Sequence, residues 1–278
     1  MNSDVMLRAQ PWLRPQWPAI DGVHALMTTR HGGSSHAPWD SMNLGDHVGD
    51  AAQHVAANRQ LLRDAAAQLA QRPVQAVFLQ QVHGCDALVL QPGSADGQAF
   101  DACVSTTAGV ACTIMVADCL PVLLAHRGGR AVAAAHAGWR GLAGVAGEGV
   151  LERTWQAYAQ ALGQQPDALL AAQTQVWLGP CIGPQAFEVG AEVREVFAQS
   201  MPGALACFRP SGNAGRWWAD LPALARLRLG ALGLQQVYGN DGSDPWCTVT
   251  HPSQFFSHRR DAAVLGSTGR MAACIWLG

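Results

Sequence analysis

A chain of 278 residues that is 49% hydrophobic and 14% charged has the apolar material for a sizeable core and does not read as a disordered polymer. Its net charge of −2 leaves no basic field to hold nucleic acid or an anionic membrane, and no apolar run reaches the roughly 20 residues of a membrane span. All 18 basic residues are arginine, which excludes Schiff-base lysines and a lysine-bearing phosphate loop, so any bound anion falls to arginine or to backbone N–H groups.

The stretch 1–22 has no continuous apolar segment, so no secretory leader is expected. The eight cysteines are scattered, without a Cys-x-x-Cys pair, and read as reduced thiols. A soluble cytoplasmic protein is the default expectation. Residues 53–71, with Val55, Leu62 and Leu69 seven apart, predict a helix. Strands are predicted over 76–82, 86–90, 110–116, 121–126 and 131–135. Residues 141–162 carry Leu151, Trp155, Tyr158 and Leu162 as one helical stripe. A strand over 176–178 follows, then shorter helices over 190–200 and 221–232, the second opened by Asp220 and Pro222. The strand 272–277 closes the chain. Without repeats or low-complexity linkers, one domain over 1–278 is expected. The elements do not alternate strictly, which favours mixed sheets with helices outside them: an α/β (α+β) protein.

The run His126-Arg127-Gly128-Gly129-Arg130 lies between two apolar segments and predicts a two-residue type I′ hairpin, because that turn needs φ > 0 at both central positions. Arg127 then faces Arg130, and paired residue numbers sum to 257. Pro121 falls opposite His136, and Cys119 opposite Gly138. With a side-chain period of two, Cys119 and His136 share one face as diagonal neighbours. A three-residue loop would put them on opposite faces. His83 ends another predicted strand, followed by Gly84. Two imidazoles and a thiolate form a familiar zinc set with a fourth position open, and copper suits the same donors. The spacing, 36 then 17 residues, matches no short zinc motif. Each member also has a plainer use, as a hydrogen-bonded rim histidine or a buried apolar cysteine.

Further candidates stand along the chain. Arg140, in Trp139-Arg140-Gly141 before a predicted helix, could hold a phosphate or pair with a structural carboxylate. Arg30, in Thr28-Thr29-Arg30-His31-Gly32-Gly33, could clamp an anion. Gly179-Pro180-Cys181-Ile182-Gly183-Pro184 reads as a rigid turn. In Phe255-Phe256-Ser257-His258-Arg259-Arg260-Asp261, Phe256 could stack a planar base while Arg259 and Arg260 hold its substituents. The alternative is core aromatics and an arginine paired with Asp261.

These stretches, with Asn43-Leu44-Gly45, Gln-Val-His-Gly at 81–84, Ala-Asp-Cys-Leu-Pro-Val at 117–122 and Ala-His-Ala-Gly-Trp-Arg-Gly at 135–141, resemble the YfiH-like family, long called the laccase-domain or multicopper polyphenol oxidase family. Phe-Glu-Val-Gly at 187–190, Cys247-Thr248 and Thr268-Gly269-Arg270 continue the match across nearly the whole chain. The resemblance implies a layered α/β/β/α sandwich with His83, Cys119 and His136 as ligands of Zn2+, Cu2+ being possible. It implies phosphorolysis of adenosine, inosine, guanosine and methylthioadenosine, with adenosine deamination. Purine nucleosides and phosphate are thus the expected partners, with no obligate protein partner. Arg30, Asp118 and Arg140 are the catalytic candidates. Asn43, Phe256, Arg259 and Arg260 are the substrate-binding candidates. The alternatives are a copper polyphenol oxidase and a Cys119–His136 hydrolase that edits peptidoglycan precursors. Gln185-Ala186 and His258 depart from residues common in the family. The His-x-Glu and Pro-Cys-x-x-Cys of zinc deaminases are absent, leaving Asp118 and Glu188 as candidate general acids for deamination.

Overall fold

A computed structural model describes residues 12–278. Residues 1–11, part of the stretch in which no leader is expected, lie outside it. Among the described residues thirteen strands form: β1 Val23–Met27, β2 Gln75–Phe78, β3 Ala87–Val89, β4 Ala102–Ser105, β5 Val110–Val116, β6 Leu120–His126, β7 Val132–Ala137, β8 Thr174–Leu178, β9 Glu188–Gly190, β10 Phe208–Pro210, β11 Arg216–Ala219, β12 Val237–Gly239 and β13 Met271–Leu277. They make a four-stranded sheet in the order β1-β13-β5-β2, a six-stranded sheet β12-β8-β6-β7-β4-β3, and a small sheet β10-β11-β9. Parallel and antiparallel pairs occur in both large sheets.

Period-two alternation sorts the side chains into layers. From β5, Val110, Cys112, Ile114 and Val116 face the inter-sheet core, where they meet Leu123 and Ala125 of β6 and Val132 and Ala134 of β7. The other face of β5, Ala111 and Met115, packs under α1 (Ala52–Ala70) through Leu62 and Ala66. On the far side of the six-stranded sheet, β7 presents Ala133, Ala135 and Ala137. These small residues leave room for Trp155 and Tyr158, both almost completely buried. The expected α/β/β/α layering is what forms. Among the described residues no helix is long and apolar enough to cross a membrane.

Two expectations about local structure need correction. The helix predicted over 141–162 is broken into α2 (Trp139–Ala143) and α3 (Val150–Ala161), with Gly144, Ala146 and Gly147 at positive φ between them. Buried Arg228 holds the break, donating to Ala143 O, Gly147 O and Glu152 Oε1. A short helix α4 (Ala168–Ala172) follows, then α5 (Ala191–Ser200), and α6 (Leu221–Ala231) starts as expected, with Asp220 accepting from Ala223 N at 2.9 Å.

The second correction concerns the hairpin. Its pairs do sum to 257: Leu120↔Ala137, Pro121↔His136, Val122↔Ala135. Yet the loop has four residues, 127–130, closed by His126 N→Ala131 O, and only Gly129 has positive φ, at 62°. The turn is not type I′, because Arg127 N donates to Gln173 O and Gly128 N to His126 Nδ1, which hold the chain outside a two-residue loop. Loops of two and four residues keep the same parity, so the predicted shared face survives the wrong turn type. The distinction is measurable. Gly129→Ala should destabilise by about 1–2 kcal/mol from the left-handed backbone alone, and its new Cβ would also meet Asp21 O at 2.8 Å. Gly128→Ala should cost less than half as much in urea denaturation. Equal losses at both positions would restore the type I′ turn.

Candidate metal centre

One end of the inter-sheet space gathers three side chains that no single element could bring together. His136 comes from β7 and points between the sheets. Cys119 sits in the bend 117–119 that joins β5 to β6, turned by Asp118 at φ 88°. His83 lies beyond the end of β2 in a loop, itself at φ 60°. The strand predicted over 76–82 stops at Phe78. Gln81 then imitates a strand with its side chain, donating to Met115 O and accepting from Met115 N, each at 2.7 Å.

The donor atoms of His83, Cys119 and His136 all lie within 4.8 Å of one another. Cys119 Sγ is 3.9 Å from His83 Nε2, and the two imidazole rings meet edge to face at 4.8 Å. Around a tetrahedral zinc ion, bonds of about 2.0–2.3 Å put ligand atoms about 3.3–3.7 Å apart, so slight side-chain rotation closes the set. Gly138 supplies an independent fit. A Cβ there would stand 3.0 Å from Cys119 Sγ and 3.2 Å from His83 Cδ2. The donors therefore converge on a space that only a glycine leaves open.

Sequence reasoning passed over Asp101. This carboxylate, fully buried just before β4, accepts from His136 Nδ1 at 2.8 Å and from three successive backbone N–H groups, those of Val82, His83 and Gly84, at 3.2, 3.0 and 2.6 Å. Its only trace in the sequence is a lone charge at the head of an apolar run. Burial alone would raise its pKa, but His136 and the backbone donors outweigh that and hold it below the usual carboxylate value.

The centre opens into a cleft of about 390 Å³. Arg140, Arg259 and Arg270 line it, with Trp139, Phe187, His47 and His258. Arg140 lies over the Trp139 ring and has no ion-pair partner among the described residues. Arg259 donates to Glu188 O at 3.2 Å, and Arg270 to Thr268 O and Gly269 O. Asp118 also lines the cleft, but Thr248 Oγ1 and Arg259 N donate to its two oxygens at 2.5 and 2.6 Å, and Ile182 N to its backbone carbonyl.

Five expected site residues are elsewhere. Arg30 is bound to Asp40 and Pro252 O and lies over Phe256, outside the cleft. Phe256 is wholly buried in the inter-sheet core. Arg260 ties Thr248 O, Phe255 O and Asp261 together, the arginine–Asp261 pairing raised as the alternative. Asn43 is buried and caps its own turn at Gly45, but its Oδ1 also accepts from Arg270 N, so it supports the cleft indirectly. Glu188 is engaged by Asn213 on the surface. Arg270 and His47 were missed as cleft residues, although Thr268-Gly269-Arg270 was visible as a motif.

Two packed sheets flanked by helices, with a His–Cys–His group at one open end, are what the YfiH-like resemblance implies. The match to known proteins agrees. A family model described as multi-copper polyphenol oxidoreductase laccase covers residues 24–278, and the chain belongs to that family. A purine nucleoside phosphorylase of Pseudomonas aeruginosa is 47% identical over 266 residues, 96% of this chain and 98% of that protein. Purine nucleoside phosphorylase YfiH of Escherichia coli is 47% identical over 263 residues, 95% and 97% of the two chains. Among solved structures, a Neisseria meningitidis protein superposes with a TM-score of 0.81 at 42% identity, covering 96% and 98%. YlmD of Geobacillus stearothermophilus also gives 0.81, at 32% identity and 97% of each chain.

The electrostatics of the triad single out one thiol. Burial works to raise the Cys119 pKa, but the imidazoles of His136 and His83 prevail and lower it to about 6. Burial would lower His136, but the Cys119 thiolate and Asp101 push it up to about 9. Without metal and between those two values, a thiolate–imidazolium pair is the favoured form. Cys85, the other partly exposed cysteine, is shifted upward, chiefly by burial. In metal-stripped protein, iodoacetamide should therefore label Cys119 first, with a rate midpoint near pH 6. Peptide mapping across pH 5–9 checks this; a midpoint near that of a free thiol, about 8.5, would contradict the pair.

Proposed function

We propose that this chain is a zinc-dependent purine nucleoside phosphorylase acting on adenosine, inosine, guanosine and methylthioadenosine, with adenosine deamination at the same site. One observation carries the reading. The His83–Cys119–His136 group opens into a cleft whose charged lining is three arginines and a single carboxylate already occupied by two donors. Such a lining suits an anionic co-substrate. The names of the 47% identical relatives point the same way.

Bound zinc would supply a Lewis-acidic position facing the cleft, held by His83, Cys119 and His136. Arg140, Arg259 and Arg270 bind phosphate and aim one of its oxygens at the ribose C1′. As the C1′–O bond forms, the C1′–N9 bond breaks and its electron pair passes to the purine. The products are ribose 1-phosphate and the free base, whose proton comes from a cleft imidazole, His47 or His258. Trp139 and Phe187 offer apolar faces for the base. Arg30 has no part in this scheme. Deamination is the minor arm, because both carboxylates considered for its general acid, Asp118 and Glu188, are engaged.

A second reading rests on the thiolate–imidazolium pair, which equally describes a Cys–His hydrolase. A copper polyphenol oxidase has less support: reducing oxygen by four electrons generally calls for several coppers, and the described residues contain one group of three or more such ligands.

Metal-replete protein given adenosine and phosphate should release adenine and ribose 1-phosphate, with less inosine. Cys119→Ser should lose both bound zinc and turnover. Losing the charged contact at Arg270→Ala, about 1.5–3 kcal/mol, should raise the KM for phosphate more than tenfold. Inosine without adenine would remove phosphorolysis. Full activity after chelation, abolished by Cys119 alkylation, would favour the hydrolase.

A further inference from the structure

We propose that Asp101 is the positioning residue of the metal centre, fixing both histidine ligands with one carboxylate. The inference rests on the reading that His83, Cys119 and His136 hold a metal ion. Oδ1 accepts from His136 Nδ1 and from His83 N, while Oδ2 accepts from Val82 N and Gly84 N. A carboxylate has about four acceptor sites, so these four donors saturate it. Because an ionised carboxylate only accepts, His136 must carry its hydrogen on Nδ1. Its Nε2 lone pair then turns toward Cys119 and the shared donor space.

The same carboxylate shapes the His83 loop. Three successive N–H groups converge on one anion, the arrangement called a nest. That convergence accompanies φ 60° at His83, a left-handed conformation uncommon among non-glycine residues. Gly84 shows how close the fit is, since a Cβ there would meet Asp101 Oδ2 at 3.3 Å. The backbone carbonyl of Asp101 also accepts from His136 N at 2.7 Å, so this one residue fixes the ring and the main chain of His136 together. Asn is nearly isosteric but carries an NH2 where two N–H donors now point, so one edge of the nest or the His136 tautomer must give way.

Co2+ reports on such a site without any enzymatic assay. Asp101→Asn should bind Co2+ about 10–100-fold more weakly than wild type. At saturating Co2+, its visible ligand-field bands should shift, reporting altered ligand geometry. Asp101→Glu, which keeps the charge one methylene further out, is a second variant expected to show the same two changes. Thr154→Ala removes a buried side-chain hydrogen bond within α3, away from the site. It should lower the melting temperature yet leave affinity and spectrum alone. The proposal is overturned if either Asp101 variant that folds binds Co2+ within twofold of wild type with an unchanged spectrum. It also falls if Thr154→Ala moves both readouts in step with stability. Failure of the wild type itself to bind Co2+ or Zn2+ would instead remove the metal reading on which it stands.

Discussion

A buried carboxylate organises this end of the molecule. An ionised group in the interior is unfavourable by several kcal/mol unless donors surround it. Asp101 therefore demands partners, and the fold supplies them from two places far apart in sequence, the loop after β2 and the strand β7. Satisfying one charge brings both histidines to the same corner. The surrounding glycines follow from that closeness. Gly138 leaves the donor space open, and Gly141 lets α2 pass within 2.7 Å, measured from where a Cβ would stand, of Gly84 O. The open corner of the sandwich is thus defined by hydrogen-bond saturation as much as by hydrophobic packing.

The parts of the site that were legible in the sequence are those fixed by local periodicity. Cys119 and His136 were placed on one face by counting across a hairpin, and parity protected that inference when the turn proved to be four residues long. His83 was legible only through family likeness. The segment 79–83 looks like strand, yet Gln81 meets the edge of β5 with its side chain rather than its backbone. Periodicity carries no sign of such a substitution. Asp101 was invisible for a related reason, since every partner of its side chain lies at least 17 residues away. At the level of layers the apolar runs sufficed, and β5 and β13 fell within a residue of their predicted limits. The short strands β9 to β12 carry too few residues to show a pattern.

The arginines show how little residue type says about role. Arg259 and Arg260 are adjacent in the first turn of a helix, α7 (His258–Leu265), capped by Ser257. Neighbours on a helix point about 100° apart, and that rotation divides them. Arg259 looks into the cleft, while Arg260 turns inward to gather Thr248 O, Phe255 O and Asp261. Arg30 and Arg270 part in the same way. Arg30 ends on Asp40, whereas Arg270 is held at its backbone by Asn43 and Leu44 and projects toward Cys119. With no lysine in the chain, the choice of which arginines stay free of carboxylates decides where an anion is welcome.

The same argument explains why one thiol among eight is suited to chemistry. Cys112, Cys181, Cys207 and Cys274 are pushed up, with burial the largest cause in each, and none has an imidazole against it that would offset the burial. Cys119 experiences burial too, yet two imidazoles reverse its sign. One of those imidazoles is positively biased because Asp101 stands behind it. The charge order therefore runs carboxylate, imidazolium, thiolate, from the closed interior to the open cleft. A divalent ion held by His83, Cys119 and His136 at the end of that row would take the place of the proton between Cys119 and His136. The polarity that activates the free thiol is, for that reason, also the polarity that would ready the three residues to hold a metal ion.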